Sequence, residues 1–253
     1  MKKQFSLFMM LCLCIWAQAQ FPSNGLINRF TFNSTLAGTN GHTLSGIASA
    51  AYSTDRNNAA SSALNILSSS QASSSAGIPN LPGGSSARTV TFWYKSNAQT
   101  IHSLFNYGSP SACYALAYDG SIGRLIFFNG TTELTINRPY STNWVHVAAC
   151  YTGTNILVYV NGVLALNNAI AVNTGSNPVS KIGYSPGNAY FGSFQIDDLA
   201  IYNRALSAAE ITGIYTGVCN PVPVNTTPVQ NLSICAGQST TLSVNGKRSI
   251  NWY

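Results

Sequence analysis

Residues 190–211 read YFGSFQIDDLAIYNRALSAAEI, and this stretch decides the fold. Its middle, Phe194 to Tyr202, has the apolar, β-branched and aromatic content of a strand and no proline. Beyond it the period changes. Ser207-Ala208-Ala209-Glu210 is a capping box, in which the Ser side chain serves the backbone N–H three residues on. A helix of about two turns is expected to run to Tyr215 and stop at Gly217. Two acids, Asp197 and Asp198, lie side by side in the strand. Successive strand side chains point to opposite faces, so these carboxylates are expected to diverge and not to share one ion.

Working outward, the chain reads as strands and turns almost throughout. Arg88 to Lys95 (RTVTFWYK) places Val90, Phe92 and Tyr94 on one face. Tyr114 to Tyr118, Arg124 to Phe128 and Trp144 to Tyr151 are further strands. Ile156 to Val160 runs into Asn161-Gly162 and then Val163 to Leu166, a hairpin signal, because both turn residues tolerate positive φ. Ala59 to Gly77 is rich in Ser and Ala, a surface loop with one strand-like island at Leu64 to Leu67. Many short strands between Gly- and Asn-rich turns predict an all-β fold, a two-sheet antiparallel jelly-roll sandwich with one short C-terminal helical segment.

The ends set the context. Lys2 and Lys3, an apolar run from Phe5 to Trp16 and Ala17-Gln18-Ala19 form a secretory signal peptide over residues 1–19. The run is too short for the ~20 residues that span a bilayer. No later stretch is apolar enough to cross, so the expected location is secreted or at the cell surface. Without Lys2 and Lys3, ten basic residues face six acids, and the basic residues are scattered. With no cluster to track phosphates, a nucleic-acid partner is not expected. Charged residues are 7% of the chain, against about 25% in soluble domains. Ser, Thr, Asn and Gly supply the polar surface, which suits neutral ligands. Residues 218–228 are Pro-rich and read as a linker. Residues 229–253 have the alternation of a first sandwich strand pair and a Trp-bearing strand.

Four cysteines follow the signal. An exported context favours disulfides. Cys113 and Cys150 both sit in strand-like segments of one domain and are the favoured pair; the partners of Cys219 and Cys235 stay open.

Residues 182–183 and 190–211 closely resemble the C-terminal signature of laminin-G-like, concanavalin A-like jelly-roll domains of bacterial secreted proteins. Leu26 to Asn33 resembles the opening strand of that family, Val90 to Lys95 its Trp-bearing strand, and Trp144 to Ala148 with Leu157 to Gly162 its central pair. The resemblance covers residues 20–217. Residues 229–253 resemble the start of an immunoglobulin-like module. The jelly-roll family implies two packed sheets, often with calcium at the rim, and members that bind glycans or proteins or accompany catalytic domains.

On that resemblance Asp197 matches the family's more regular acid, and the metal-site residues are Asp197, Asp198, Asn33 and Asn40. The chain departs from the family at Ala37, where an acid is usual, so the two Asn side chains would supply neutral oxygens. Tyr107, Tyr184, Asn188 and Tyr190 lie in or near predicted loops and are the expected ligand-binding set, an aromatic platform with amides. A glycosidase needs two carboxylates. The Glu-x-Asp-x-x-Glu pattern of glucanases is absent. Of the two glutamates, Glu210 belongs to the capping box and Glu133 has no evident partner. No nucleophile elbow accompanies His42, His102 or His146. The expectation is a recognition module, not an enzyme, with a glycan or a cell-surface protein as partner and calcium as cofactor. The alternatives are a structural spacer of a large surface protein, or the accessory domain of a hydrolase.

Overall fold

The computed structural model describes residues 21–45, 51–67, 72–73, 77–175, 179–184 and 192–217. The signal peptide, linker and immunoglobulin-like segment expected above lie outside these residues, as do Asn188, Tyr190, Cys219 and Cys235.

Among the described residues fourteen strands form two antiparallel sheets. The first sheet contains β1 (Leu26–Phe30), β2 (Ala51–Ser53), β3 (Ala63–Ile66), β5 (Arg88–Ser96), β10 (Val145–Tyr151), β11 (Asn155–Val160), β12 (Val163–Ala169) and β14 (Phe194–Tyr202). Its order is β12-β11-β10-β5-β14-β3-β2, with β1 also paired to β14. The second sheet has the order β4-β13-β6-β7-β8-β9. Its strands are β4 (Ala72–Ser73), β6 (Ile101–Ser109), β7 (Ala112–Asp119), β8 (Arg124–Phe128), β9 (Glu133–Asn137) and β13 (Ser180–Ile182). Alternation carries Val90, Phe92 and Tyr94 of β5, and Tyr114, Leu116 and Tyr118 of β7, into one core between the sheets. The hairpin turn forms as expected, with Asn161 at φ 50 and Gly162 at φ 78.

Helix α1 (Ala208–Thr216) lies on the outer face of the eight-stranded sheet. Its capping box is complete: Ser207 accepts from the Glu210 N–H, and Glu210 accepts from the Ser207 N–H. Arg204 holds the Glu210 carboxylate through two hydrogen bonds of 2.9 and 2.6 Å. That pairing is the main reason Glu210 is held down at about 2.

The Cys113–Cys150 disulfide does not form; both thiols are free and buried. The reason is strand parity. Tyr114, next to Cys113, points into the core, and so do Ala149 and Tyr151 on either side of Cys150. Cys150 therefore packs outward under α1 with Leu206, Ile211 and Ile214. Cys113 faces outward from the opposite sheet. Sheets stack about 10 Å apart, and a disulfide needs Cα atoms within about 7 Å. Burial pushes Cys113 up to about 11 and Cys150 up to about 12. Alkylation under denaturing, non-reducing conditions should label both residues in peptide mass spectra; recovery of a 113–150 cross-linked peptide would overturn this placement.

Candidate functional site: a charged and aromatic cleft on the outer sheet face

The cleft is made by an irregularity in β14. Asp197 pairs opposite Trp93 and Ala200 opposite Thr91, so two residues of β14, Asp198 and Leu199, lie against one of β5, Phe92. This is a β-bulge, and Asp198 adopts φ 50 within it. Phe194 and Ile196 point inward before the bulge, and Leu199 and Ile201 after it. The parity switch releases both acids from the core face. The divergence expected from simple strand alternation is therefore wrong. Asp197 and Asp198, 3% and 6% exposed, line the same cleft.

Both carboxylates grip one guanidinium. Arg56 Nη1 donates to Asp197 Oδ2 at 2.6 Å, and Arg56 Nη2 to Asp198 Oδ2 at 2.7 Å. Arg29, from β1, donates through Nε and Nη2 to Asp198 Oδ1 at 3.1 and 2.6 Å. Arg56 is presented by a turn after β2 that Asp55 organises, its Oδ1 accepting from the N–H groups of Asn57 and Ala59. Asn58 sits there at φ 64. Burial, then the neighbouring Asp198 charge, push Asp197 above the usual carboxylate range, against the pull of Arg56.

Trp93 forms the floor. Arg56 lies 4.8 Å from its ring centroid, a cation–π contact. Tyr215 of α1 stacks on it at 5.6 Å, and His146 of β10 approaches at 5.2 Å. Tyr215 reaches this position over Gly162, where a Cβ would come within 3.0 Å of its ring. The hairpin glycine thus serves the site as well as the turn. The His146 ring is fully buried, with Nε2 at 2.8 Å from Thr91 Oγ1. Burial first, and the Arg56 charge second, hold it down at about 3, so it is neutral. The buried Trp93 indole N–H has no hydrogen-bond partner among the described residues. Half-buried Trp144, with Asn33, Asn57, Asn58 and Ser62, completes a cleft of about 830 Å³. That size falls in the range of small-ligand sites.

The expected residues fare unevenly. Asp197, Asp198 and Asn33 do share the cleft. Asn40 does not line it; its side-chain N–H donates to the Ile27 carbonyl and its backbone N–H to Asn28 Oδ1. Tyr107 is no loop platform: it lies in β6, fully buried, with its hydroxyl accepting from Arg88 at 2.7 Å. The expected loop is a strand, and its Phe105 and Tyr107 both reach the core. Tyr184 follows β13 on the other sheet, with Lys181 Nζ 4.0 Å from its ring centroid. Missed were Arg29, Arg56, Trp93, Trp144 and Tyr215. Trp93 and Trp144 stood in the quoted strands and their outward parity was available. Arg56 carried no local signal, because its partners are 141 and 142 residues away.

Calcium needs six to eight oxygen ligands at about 2.3–2.6 Å. Here Asp197 Oδ2 and both Asp198 oxygens already accept guanidinium N–H groups. Among the described residues no group of three or more His, Cys, Asp or Glu side chains comes together as a metal site. The residues present do not fit a calcium ion.

The architecture, two antiparallel sheets with a recognition-sized cleft, is that of a jelly-roll domain. Residues 68–212 match the concanavalin A-like lectin/glucanases superfamily, and the chain belongs to that superfamily. No curated protein matches the chain. Among solved structures it is similar to domain 4 of AbnA, a GH43 extracellular arabinanase from Geobacillus stearothermophilus, in complex with arabinotriose. The TM-score is 0.59 at 20% identity, covering 75% of this chain and 98% of that one. It is also similar to the botulinum neurotoxin serotype G binding domain (TM-score 0.59, 14% identity, 76% and 50% coverage). A third is the serotype D ligand binding domain in complex with N-acetylneuraminic acid (TM-score 0.58, 16% identity, 76% and 51% coverage). The chain spans about half the length of the two toxin domains. At these identities the likeness is one of fold. No helix among the described residues is long and apolar enough to cross a membrane.

Proposed function

We propose that this chain is an extracellular recognition module that binds a neutral saccharide in the cleft on the outer face of its eight-stranded sheet. The observation that carries this reading is the composition of the cleft. Aromatic rings of Trp144 and Tyr215 and the amides of Asn33, Asn57 and Asn58 share one cavity whose charges are nearly all paired internally. Ring faces bind the apolar faces of sugars, and amides bind their hydroxyls. Arg29 and Arg56 are spent on Asp197 and Asp198, which leaves no unpaired cation among the described residues of the cleft to select an acidic sugar. The neighbours solved with arabinotriose and N-acetylneuraminic acid support saccharide binding on this fold. The signal-like N-terminus supports export.

A binding role is favoured over hydrolysis by the state of the acids. General acid–base cleavage of a glycoside needs one carboxyl to protonate the leaving group and another to act as base or nucleophile. Asp197 and Asp198 are both held by arginine, Glu210 caps α1, and Glu133 sits on the exposed strand β9.

The test is a glycan array on the full chain followed by titration of the best neutral oligosaccharide. Trp144→Ala should weaken binding about tenfold or more, the loss of roughly 1.4 kcal/mol that a contact aromatic supplies. An array without neutral saccharide hits, or a Trp144→Ala chain that binds as well as the wild type, would remove this reading. Saccharide-independent capture of a defined surface protein would then favour the protein-binding alternative.

A further inference from the structure

We infer that Arg56 is the built-in counter-ion of the Asp197–Asp198 pair, occupying the position expected for a metal ion and making the cleft calcium-independent. The bulge of β14 brings two nearly buried carboxylates to one side of the sheet. Two adjacent buried carboxylates repel one another, and a shared cation relieves that repulsion. The guanidinium of Arg56 meets that need geometrically: its two Nη atoms reach one oxygen of each carboxylate, at 2.6 and 2.7 Å. A planar fork with fixed donors suits this bridging better than a point charge. Arg29 closes the remaining oxygen of Asp198 at 2.6 Å.

The occupied oxygens oppose a second cation: Asp197 Oδ2 and both Asp198 oxygens already accept guanidinium N–H groups. With all acids ionised, the carboxylates of Asp55, Asp197 and Asp198 and the guanidinium groups of Arg29 and Arg56 in this cleft sum to −1. With Asp197 protonated they sum to zero. A divalent ion entering here would meet two guanidinium charges at close range, where the attraction it needs is already spent. The arrangement also fixes one wall of the cleft. Arg56 sits in the turn between β2 and β3, and its ion pairs, with the contact to Trp93, tie that turn to β5 and β14. The turn carries Asn57 and Asn58, two of the cleft's amides. Arg56 is a positioning residue on this account.

Thermal melting and calorimetric titration of the full chain test the inference, and neither readout involves a saccharide. The result is therefore independent of the ligand assigned above. The wild-type Tm in calcium chloride should match that in chelator to within about 1 °C, because an ion that does not bind the folded state cannot stabilise it. Titration of calcium should give no saturable heat. Arg56→Met should lower Tm by about 5 °C or more, and Arg56→Lys, which keeps the charge but loses the fork, should recover only part of it. A chain of Arg56→Met that fails to fold still leaves the Lys variant and the wild-type titration to decide. A calcium-dependent rise in wild-type Tm, saturable calcium binding abolished by Asp197→Asn, or an Arg56→Met variant as stable as wild type would each overturn the inference.

Discussion

Arg88→Met should cost about 3–5 kcal/mol of stability, seen as a fall in Tm of about 10 °C. Arg88 is fully buried, and no carboxylate pairs with it among the described residues. Burying an isolated cation is expensive unless every donor is satisfied. Here they are satisfied by neutral oxygens. Nε donates to the Ser86 carbonyl at 2.8 Å. Nη1 donates to the Pro82 carbonyl, the Tyr107 hydroxyl and Thr174 Oγ1, at 2.8, 2.7 and 2.7 Å. Nη2 donates to the carbonyls of Gly83 and Gly84, at 3.2 and 2.6 Å. One side chain thereby gathers the 82–86 loop onto both sheets. The rings of Tyr107, Tyr114 and Tyr151 surround its charge with centroids 5.8–5.9 Å away. Met fills similar volume and offers no donor, so the loop carbonyls lose their shared anchor. Arg88→Lys should recover little, since an ammonium cannot reach acceptors spread over this plane. A loss below about 1 kcal/mol in urea titration of Arg88→Met would show that the loop is held by other contacts.

The second large effect is acid destabilisation through His146. Its folded value, near 3, lies far below the ordinary 6.5, because burial and the Arg56 charge oppose the imidazolium. The unfolded chain therefore takes up the proton first. The stability His146 contributes is complete above pH 6.5 and is lost as pH falls toward 3. Between pH 6.5 and 4.5 the loss should be about 2–3 kcal/mol. Asp197 acts with the opposite sign. Its raised folded value adds stability at low pH that is lost as pH rises. Glu210, held at about 2, gives up its smaller contribution only below pH 4.5. The informative comparison is consequently wild type against His146→Gln over the same pH range. The variant should be less stable at pH 7, and its stability should fall less between pH 6.5 and 4.5. Equal pH slopes for the two proteins would exclude His146 as the titrating group.

The two sheets were legible because period-two alternation is a local property. Val90, Phe92 and Tyr94 face the core as their spacing demands, and Asn161-Gly162 turns as its chemistry demands. The helix was legible for the same reason, since Ser207 and Glu210 cap one turn of their own backbone. Parity failed where the chain departs from regular alternation. The β14 bulge turned two supposedly divergent aspartates into a pair, and β6, with its own irregularity between Ser103 and Phe105, breaks the alternation that marks a strand. The disulfide failed because strand membership says nothing about which outer face a thiol occupies.

The sequence by itself determined the class of fold and the strand and helix chemistry. Only the tertiary structure decided the site. Arg29, Arg56, Trp93, Tyr215 and the two aspartates come from strands, a turn and a helix far apart in the chain, and they meet because antiparallel pairing lays β1, β5 and β14 side by side. A local pattern records what each segment does with its own backbone. The partner of a buried charge is chosen by which segments the closed sheet brings within reach, and that choice has no local signature.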